Sequence, residues 1–418
     1  MANPILFSHS WNRRYLPCGG TDKVYLLVEL TGRAAAEKPE RAPINIGLVL
    51  DRSGSMEGLP LEFSKKACQY VTEQVSSSDV LSMVAFDDEV LTVFPPEKVT
   101  HKDLLKKKIA SIQSGGSTNL SGGMIQGAQY VHQSKQDGMV NRILLLSDGH
   151  ANQGITDRQK LAQIAREYRS MGVGISTLGV GHGFDEDLME GIADEGGGNF
   201  YYIERPDDIP SIFAKELQGV LTVVAQNVRM KLKPTEYARI TNVYGYQVTE
   251  DNGAMEMMLG DIYDSEVKSI LIEMMVYPHS VGSHPLLDFE WDYVDITEGV
   301  QPCQFQLTAN AEFTNHIDLL NMPLEANVEK HIKITETALA IEKAMNAFDQ
   351  GDVESGKTML QSQADDLLRM AIQTDDTELR EESKKLYERI ESIDHLSYSP
   401  MMRKELHSQK YRNMKRKK

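Results

Sequence analysis

Asp51, Ser53 and Ser55 place three short oxygen-bearing side chains at alternate positions, in the run Asp-Arg-Ser-Gly-Ser. A carboxylate and two hydroxyls are hard donors, suited to Mg²⁺, Mn²⁺ or Ca²⁺ rather than to softer metals. Gly54 permits a tight turn that would fold both serines towards one point. The same serines have a plainer use, because serine caps helices and a helix is expected to begin near Glu57. Two distant stretches add to the set. Thr118 lies in Ser114-Gly-Gly-Ser-Thr-Asn119, ahead of an expected helix, and Asp148 closes the run Asn141-Arg-Ile-Leu-Leu-Leu-Ser-Asp. Taken singly, Thr118 reads as a helix cap and Asp148-Gly149 as a turn. Together the five residues supply five hard oxygen groups.

What would position them is a sheet. Residues 46–50 and 143–146 are continuous apolar runs that end in polar turn residues, the pattern of strands buried on both faces. Around them, strands are expected at 80–86, 90–94, 173–180 and 199–203. Helices are expected at 61–75, 102–112, 123–133, 158–169, 185–193 and 209–224. This alternation specifies an α/β unit with a doubly wound, mostly parallel sheet. Ligands of such sheets sit beyond the carboxyl ends of the strands, where all five oxygen groups fall.

These motifs resemble a von Willebrand factor type A domain, a Rossmann-like fold, with a complete metal-ion-dependent adhesion site, of the intracellular bacterial type. Asp51-Arg-Ser53-Gly-Ser55, Thr118 in Gly-Gly-Ser-Thr-Asn, and Asp148 in Leu-Leu-Leu-Ser-Asp-Gly carry the resemblance, which covers about residues 43–220. It implies that Ser53 and Ser55 coordinate the metal directly, that Thr118 does so in the ligand-competent state, and that Asp51 and Asp148 act partly through water. It implies Mg²⁺ first, with Mn²⁺ or Ca²⁺ as substitutes. The function implied is a non-enzymatic protein–protein interaction module, in which a partner's Asp or Glu completes the metal's coordination. The loops at 87–89 and 150–157 are expected to line the same face.

The rest of the chain divides by pattern. Residues 1–42 carry two expected strands, at 5–8 and 24–30, and a polar loop at 32–43. The α/β unit takes 43–224. Residues 225–325 hold five strand-like runs, at 227–232, 238–243, 267–276, 287–293 and 304–307, which suggest a thin β-sandwich. The strand at 24–30 would complete it, leaving the α/β unit inserted in or beside the sandwich. Residues 326–395 show helical periodicity and short connections, the pattern of a helical hairpin or bundle. The tail at 396–418 is expected to be disordered, with eight Lys or Arg in its last sixteen residues.

Charge and composition narrow the partners. A net charge of −17 opposes general binding to nucleic acid or to anionic membranes, leaving only the tail at 403–418 as a nucleic-acid arm. Three widely spaced cysteines, no signal-peptide core and no long apolar run point to a cytoplasmic protein. A metal-dependent hydrolase is the alternative of another class. It is disfavoured because no general base lies within the motifs and no second carboxylate cluster would hold a second ion. Gly351-Asp-Val-Glu-Ser-Gly-Lys-Thr358 fits a phosphate loop formally, but a helix precedes it where a strand is required. Gly179-Val-Gly-His-Gly183 lacks the third glycine of a dinucleotide fingerprint. His150 reads as a lone solvent-facing histidine.

Overall fold

The computed structural model describes residues 3–34, 41–297, 300–396 and 398–416. Part of the loop expected at 32–43 and the last two residues of the tail lie outside them. Three strands open the chain: β1 (Ile5–Trp11), β2 (Tyr15–Pro17) and β3 (Thr21–Gly32). The α/β unit follows as β4 (Ile44–Asp51), α1 (Leu59–Gln74), β5 (Val80–Phe86), β6 (Val90–Lys98), α2 (Lys102–Ala110), α3 (Leu120–Gln133) and β7 (Val140–Ser147). It closes with α4 (Arg158–Ser170), β8 (Gly174–Val180), α5 (Glu186–Gly196), β9 (Gly197–Ile203) and α6 (Ile209–Leu221).

The sheet of this unit has the order β6-β5-β4-β7-β8-β9. Only the β5–β6 pairing is antiparallel. Every residue of β4 and β7 is buried, because helices cover both faces. Ile46, Leu48 and Leu50 of β4 pack with Leu61 and Val71 of α1, Leu105 of α2 and Phe213 of α6. Val49, facing the other way, packs with Met124 of α3, Leu161 of α4 and Ile192 of α5. Helix α3 lies close on the sheet because Gly123 and Gly127 face it. A Cβ at either would come within 2.3 Å of Phe86 or Val49 side-chain atoms. The central strands are thereby fixed in height, and with them the loops at their carboxyl ends.

After α6 the chain forms β10 (Val223–Pro234), β11 (Ala238–Tyr244), β12 (Val248–Asp251), β13 (Ala254–Tyr263), β14 (Val267–Val276), β15 (Gly282–Asp295) and β16 (Gln301–Thr314). Two sheets result, β1-β3-β14-β11 and β12-β13-β10-β15-β16-β2. They bury a shared core that includes Val28, Leu30, Ile272, Phe289, Trp291 and Phe313. The first strands of the chain are therefore part of this sandwich, and the α/β unit is inserted between β3 and β10. The sandwich is thicker than five strands plus one. The sequence reading passed over β2, β12 and β13. β12 is exposed along its whole length, so it shows no alternation. β13 is methionine-rich and interrupted by Gly260 at φ +78°, which blurs its strand signature.

The remaining elements are the single turn α7 (Ile317–Leu320) and the helices α8 (Ala326–Asp349), α9 (Val353–Thr374), α10 (Thr377–Leu396) and α11 (Pro400–Lys415). α8 to α10 pack on one another around Ile341, Leu360, Leu367 and Leu386. Val328 and Ile332 of α8 dock on Tyr25, Leu27 and Leu271 of the sandwich. The tail departs from the expectation of disorder. Residues 400–415 are a helix capped by Ser399, with Met402 and Leu406 in the helical core. Tyr411 enters the core of the α/β unit, where Phe200 packs edge-on at 5.5 Å. High charge concealed this because Arg403, Lys404, Lys410, Lys415 and Arg416 have partners in the folded chain. No helix among the described residues is long and apolar enough to cross a membrane.

Candidate metal centre

β4 ends in Asp51, whose carboxylate is fully buried. It accepts a hydrogen bond from the Ser53 backbone N–H at 2.8 Å and another from Ser147 Oγ at 2.5 Å. The first turns the chain sharply after the strand, and the two together fix the orientation of the acid. Ser53 Oγ lies 3.3 Å from Ser55 Oγ, and Ser55 Oγ donates to Asp148 Oδ1 at 2.7 Å. Asp148 follows directly on β7, the neighbour of β4 in the sheet. Asp51, Ser53, Ser55 and Asp148 thus form one continuous polar cluster.

Thr118 reaches the same place from the loop between α2 and α3. Its Oγ1 sits against Gly149, where an added Cβ would lie 2.9 Å away. Its backbone N–H donates to Asn152 Oδ1 at 2.9 Å, and its carbonyl accepts from the Asn152 and Gln153 N–H groups at 3.2 Å. All five expected residues therefore stand at the carboxyl ends of β4 and β7.

The structure also decides between capping and this cluster. The short turn at 54–56 takes no side-chain cap from Ser53, and α1 follows Gly58 at its N-cap position with no side-chain cap either. Ahead of α3 the cap is Asn119, which accepts from the Gly122 N–H at 2.9 Å. The hydroxyls of Ser53, Ser55 and Thr118 are not used to cap these helices.

Electrostatics mark the cluster further. Burial pushes the Asp148 carboxyl up to about 6. The nearby Asp51 adds to the rise and the Ser55 hydrogen bond offsets part of it. Burial likewise raises the Asp51 carboxyl, outweighing its bonds to Ser147 and Ser53. Among the described residues, no Lys, Arg or His is paired with either acid. Arg52, next in sequence to Asp51, is turned to Asp87 at 2.9 Å. Two buried acids without a counter-charge, beside three hydroxyls, form a donor set that a hard divalent cation fits. Among the described residues no three His, Cys, Asp or Glu side chains gather to hold an ion, and in this cluster three of the five donors are hydroxyls.

Sequence reasoning missed the residues that hold the cluster in place. Ser147 aims Asp51, and Asn152 fixes the backbone of Thr118. Asp87 was expected on the interaction face but is buried. It accepts from the Gly116 N–H at 3.0 Å and pairs with Arg52, tying the Thr118 loop to the turn after β4. Gly115 is required there, since a Cβ would overlap the Asp87 carboxylate at 1.6 Å. The only advance signal was the glycine pair before Thr118. Of that loop, Asp88 and Glu89 are exposed, as is His150.

The competing motifs take other roles. Gly351, at φ +84°, follows α8, and Asp352 caps α9 by accepting from the Ser355 N–H at 3.1 Å. Lys357 pairs with Glu354 and Asp394 at 3.0 and 2.7 Å, so the stretch forms a helix junction and no phosphate cradle. Gly179 lies within β8, and the loop that follows carries Gly181 and Gly183, the latter abutting the Asp148 carbonyl.

Comparison with known proteins agrees with this architecture. The family model for the von Willebrand factor type A domain matches residues 45–215. A relative of uncharacterized function from Synechocystis sp. is 28% identical over 348 residues, covering 79% of this chain and 80% of that protein. The uncharacterized protein YfbK of Escherichia coli is 30% identical over 217 residues, which is 50% of this chain and 37% of that one. Among solved structures, a von Willebrand factor type A protein from Catenulispora acidiphila superposes with a TM-score of 0.78 at 16% identity, over 98% of this chain and 96% of that one. The ArnB paralog VWA2 from Sulfolobus acidocaldarius gives 0.66 at 18% identity, over 99% of both. These likenesses extend the shared fold beyond the α/β unit to the sandwich and helices.

Proposed function

Residues 45–215 are a von Willebrand factor type A domain, and on that premise we propose that the protein is a metal-dependent interaction module that binds an acidic residue of a partner protein. The observation that carries this reading is the pair of buried acids, Asp51 and Asp148, joined through the Ser53 and Ser55 hydroxyls with no protein cation paired to them among the described residues. Ser53, Ser55 and Thr118 would hold Mg²⁺ through their hydroxyls, with Asp51 and Asp148 acting partly through water. Mn²⁺ or Ca²⁺ would occupy the same donors less selectively. Bound there, Mg²⁺ supplies a positive centre that takes one further oxygen from a partner's Asp or Glu. Asp51 is already oriented by Ser147 and the Ser53 N–H, so little reorganisation accompanies metal binding. Asp88, Glu89 and His150 stand exposed on loops of the same end and would set which sequences are tolerated around that acid.

The reading places the protein in a bacterial cytoplasm. Its three cysteines, Cys18, Cys68 and Cys303, are all free, as a reducing compartment requires. The sandwich and the helices would serve as scaffold or as a second contact surface. The alternative of a nucleic-acid arm at 403–418 draws no support, because five of its eight cations, Arg403, Lys404, Lys410, Lys415 and Arg416, are in ion pairs within the chain.

The test is capture of partners from a bacterial lysate in Mg²⁺ and in EDTA, with wild type and Ser53→Ala. A protein retained only by wild type with Mg²⁺ supports the reading. Retention that is indifferent to both chelation and the substitution refutes it.

A further inference from the structure

We infer that the C-terminal helix α11 positions the metal centre, with Lys404 as the positioning residue acting through Phe184 and Gly183 on Asp148. The inference rests on the metal-site reading above and concerns how that site is held. Three links carry it. First, α5 presents the acids Glu186, Asp187, Glu190 and Asp194 towards α11, which answers with long cationic or titratable side chains. Arg403 and Lys404 both pair with Glu186. His407 lies 3.1 Å from Asp187 and 3.0 Å from Glu190, Lys410 lies 3.4 Å from Glu190, and Lys415 lies 3.1 Å from Asp194.

Second, Lys404 does more than pair. It is 5% exposed, and its ammonium donates to the Phe184 carbonyl while lying 4.3 Å from the Phe184 ring centre. Buried beside an acid that is itself 6% exposed, it cannot be removed without leaving Glu186 with Arg403 alone. Phe184 is completely buried in the core that also holds Phe86 and Met124, so this bond clamps the loop between β8 and α5 at its base.

Third, that loop touches the metal centre. The backbone of Gly183 approaches the Asp148 carbonyl so closely that a Cβ would lie 2.6 Å from the oxygen. Lys404, Phe184, Gly183 and Asp148 are thus consecutive neighbours, leading from the helical unit to one of the two acids that would face the ion. Packed, hydrogen-bonded neighbours of this kind transmit small shifts. The basic tail then has a purpose within the chain: it sets the height of Asp148.

Two substitutions separate positioning from mere attachment. Lys404→Met removes the bond at the loop, whereas Lys415→Met removes an ion pair of the same helix at the far end of α5. Mg²⁺ affinity is read by calorimetry, and amide hydrogen exchange at 182–185 is read in metal-free protein. The expected result for Lys404→Met is about fivefold weaker Mg²⁺ binding with faster exchange in the loop. For Lys415→Met both readouts should stay close to wild type. Gly183→Ala, at an exposed loop position, tests the last link without disturbing α11 and should also weaken Mg²⁺ about fivefold. Unchanged affinity in Lys404→Met and Gly183→Ala would overturn the inference while leaving the metal site intact. An equal loss in Lys415→Met would reduce α11 to a general stabiliser and overturn it too. A wild type that binds no Mg²⁺ would instead remove the reading on which it rests.

Discussion

The two ends of β7 make opposite use of buried charge. Near its start, Arg142 is fully buried and donates to Asp261 Oδ2 of β13 at 2.7 Å and to the Gly197 carbonyl at 3.1 Å. Asp261 in turn accepts from the Asn227 N–H at 3.0 Å. The sandwich thus supplies the counter-charge, and the pair joins the two units. At the other end of the strand, Asp148 and its neighbour Asp51 find hydroxyls and backbone groups in place of a cation, and both carboxyls are pushed upward by burial. One end is satisfied by the chain itself; the other is arranged so that something outside the chain must satisfy it. That contrast is the physical signature separating a structural ion pair from a binding site in the same sheet.

The contrast can be broken at either end. Arg142→Met should give the largest effect. It leaves Asp261 without its counter-charge, with a loss of stability of about 3–5 kcal/mol, read as a lower unfolding midpoint in denaturant. Asp148→Asn should do the reverse. Mg²⁺ affinity should fall by at least about 100-fold, read by calorimetry, while the metal-free protein keeps or gains stability because a crowded acid is removed. For wild type, Mg²⁺ at about a hundred times its dissociation constant should add about 2.7 kcal/mol of stability, and Asp148→Asn at the same Mg²⁺ concentration should cut that gain to about 0.4 kcal/mol or less. A substitution at 142 that cost Mg²⁺ affinity, or one at 148 that cost stability, would blur the distinction.

Acidity sharpens the same comparison. The Asp148 carboxyl sits at about 6, above its ordinary value, so the folded metal-free protein holds that proton more tightly than the unfolded chain. The contribution of this group to stability is therefore present below the unfolded value and is lost as the pH rises through about 6. Metal binding needs the carboxylate, so Mg²⁺ affinity should decline as the pH falls below about 6, approaching about tenfold per unit for one competing proton. Calorimetry between about pH 5 and pH 8 checks it. A smaller effect than that of Asp148→Asn should come from Ser147→Ala, which releases Asp51 without removing a donor. A loss of roughly tenfold in Mg²⁺ affinity is expected, with no change in the Arg142–Asp261 end.

Much of this was legible in the sequence because the decisive elements are local. The apolar runs of β4 and β7 admit few alternatives, and the polar residues that end them are adjacent in sequence to the strands that carry them. The insertion of the α/β unit into the sandwich was legible from strand arithmetic, and the pairing of β3 with β14 realises it. What was not legible depends on distant partners. Ser147 and Asn152 look like ordinary polar residues until Asp51 and Thr118 stand beside them. Asp87 sits in a turn of a kind that acidic residues commonly occupy, and only the close approach of Gly115 reveals it as a brace. The tail misled for the same reason. Its lysines and arginines read as a solvated run, and only the acidic face of α5, far earlier in the chain, turns them into a docked helix.

Diffraction from crystals soaked with Mn²⁺ tests the central claim most directly, since the ion's anomalous signal locates it without reference to any partner. A single strong peak at direct-coordination distance, about 2–2.3 Å, from the Ser53 and Ser55 hydroxyls, and absent from Ser55→Ala crystals, is the predicted result. No peak at the ends of β4 and β7, or one that persists unchanged in Ser55→Ala, would contradict it.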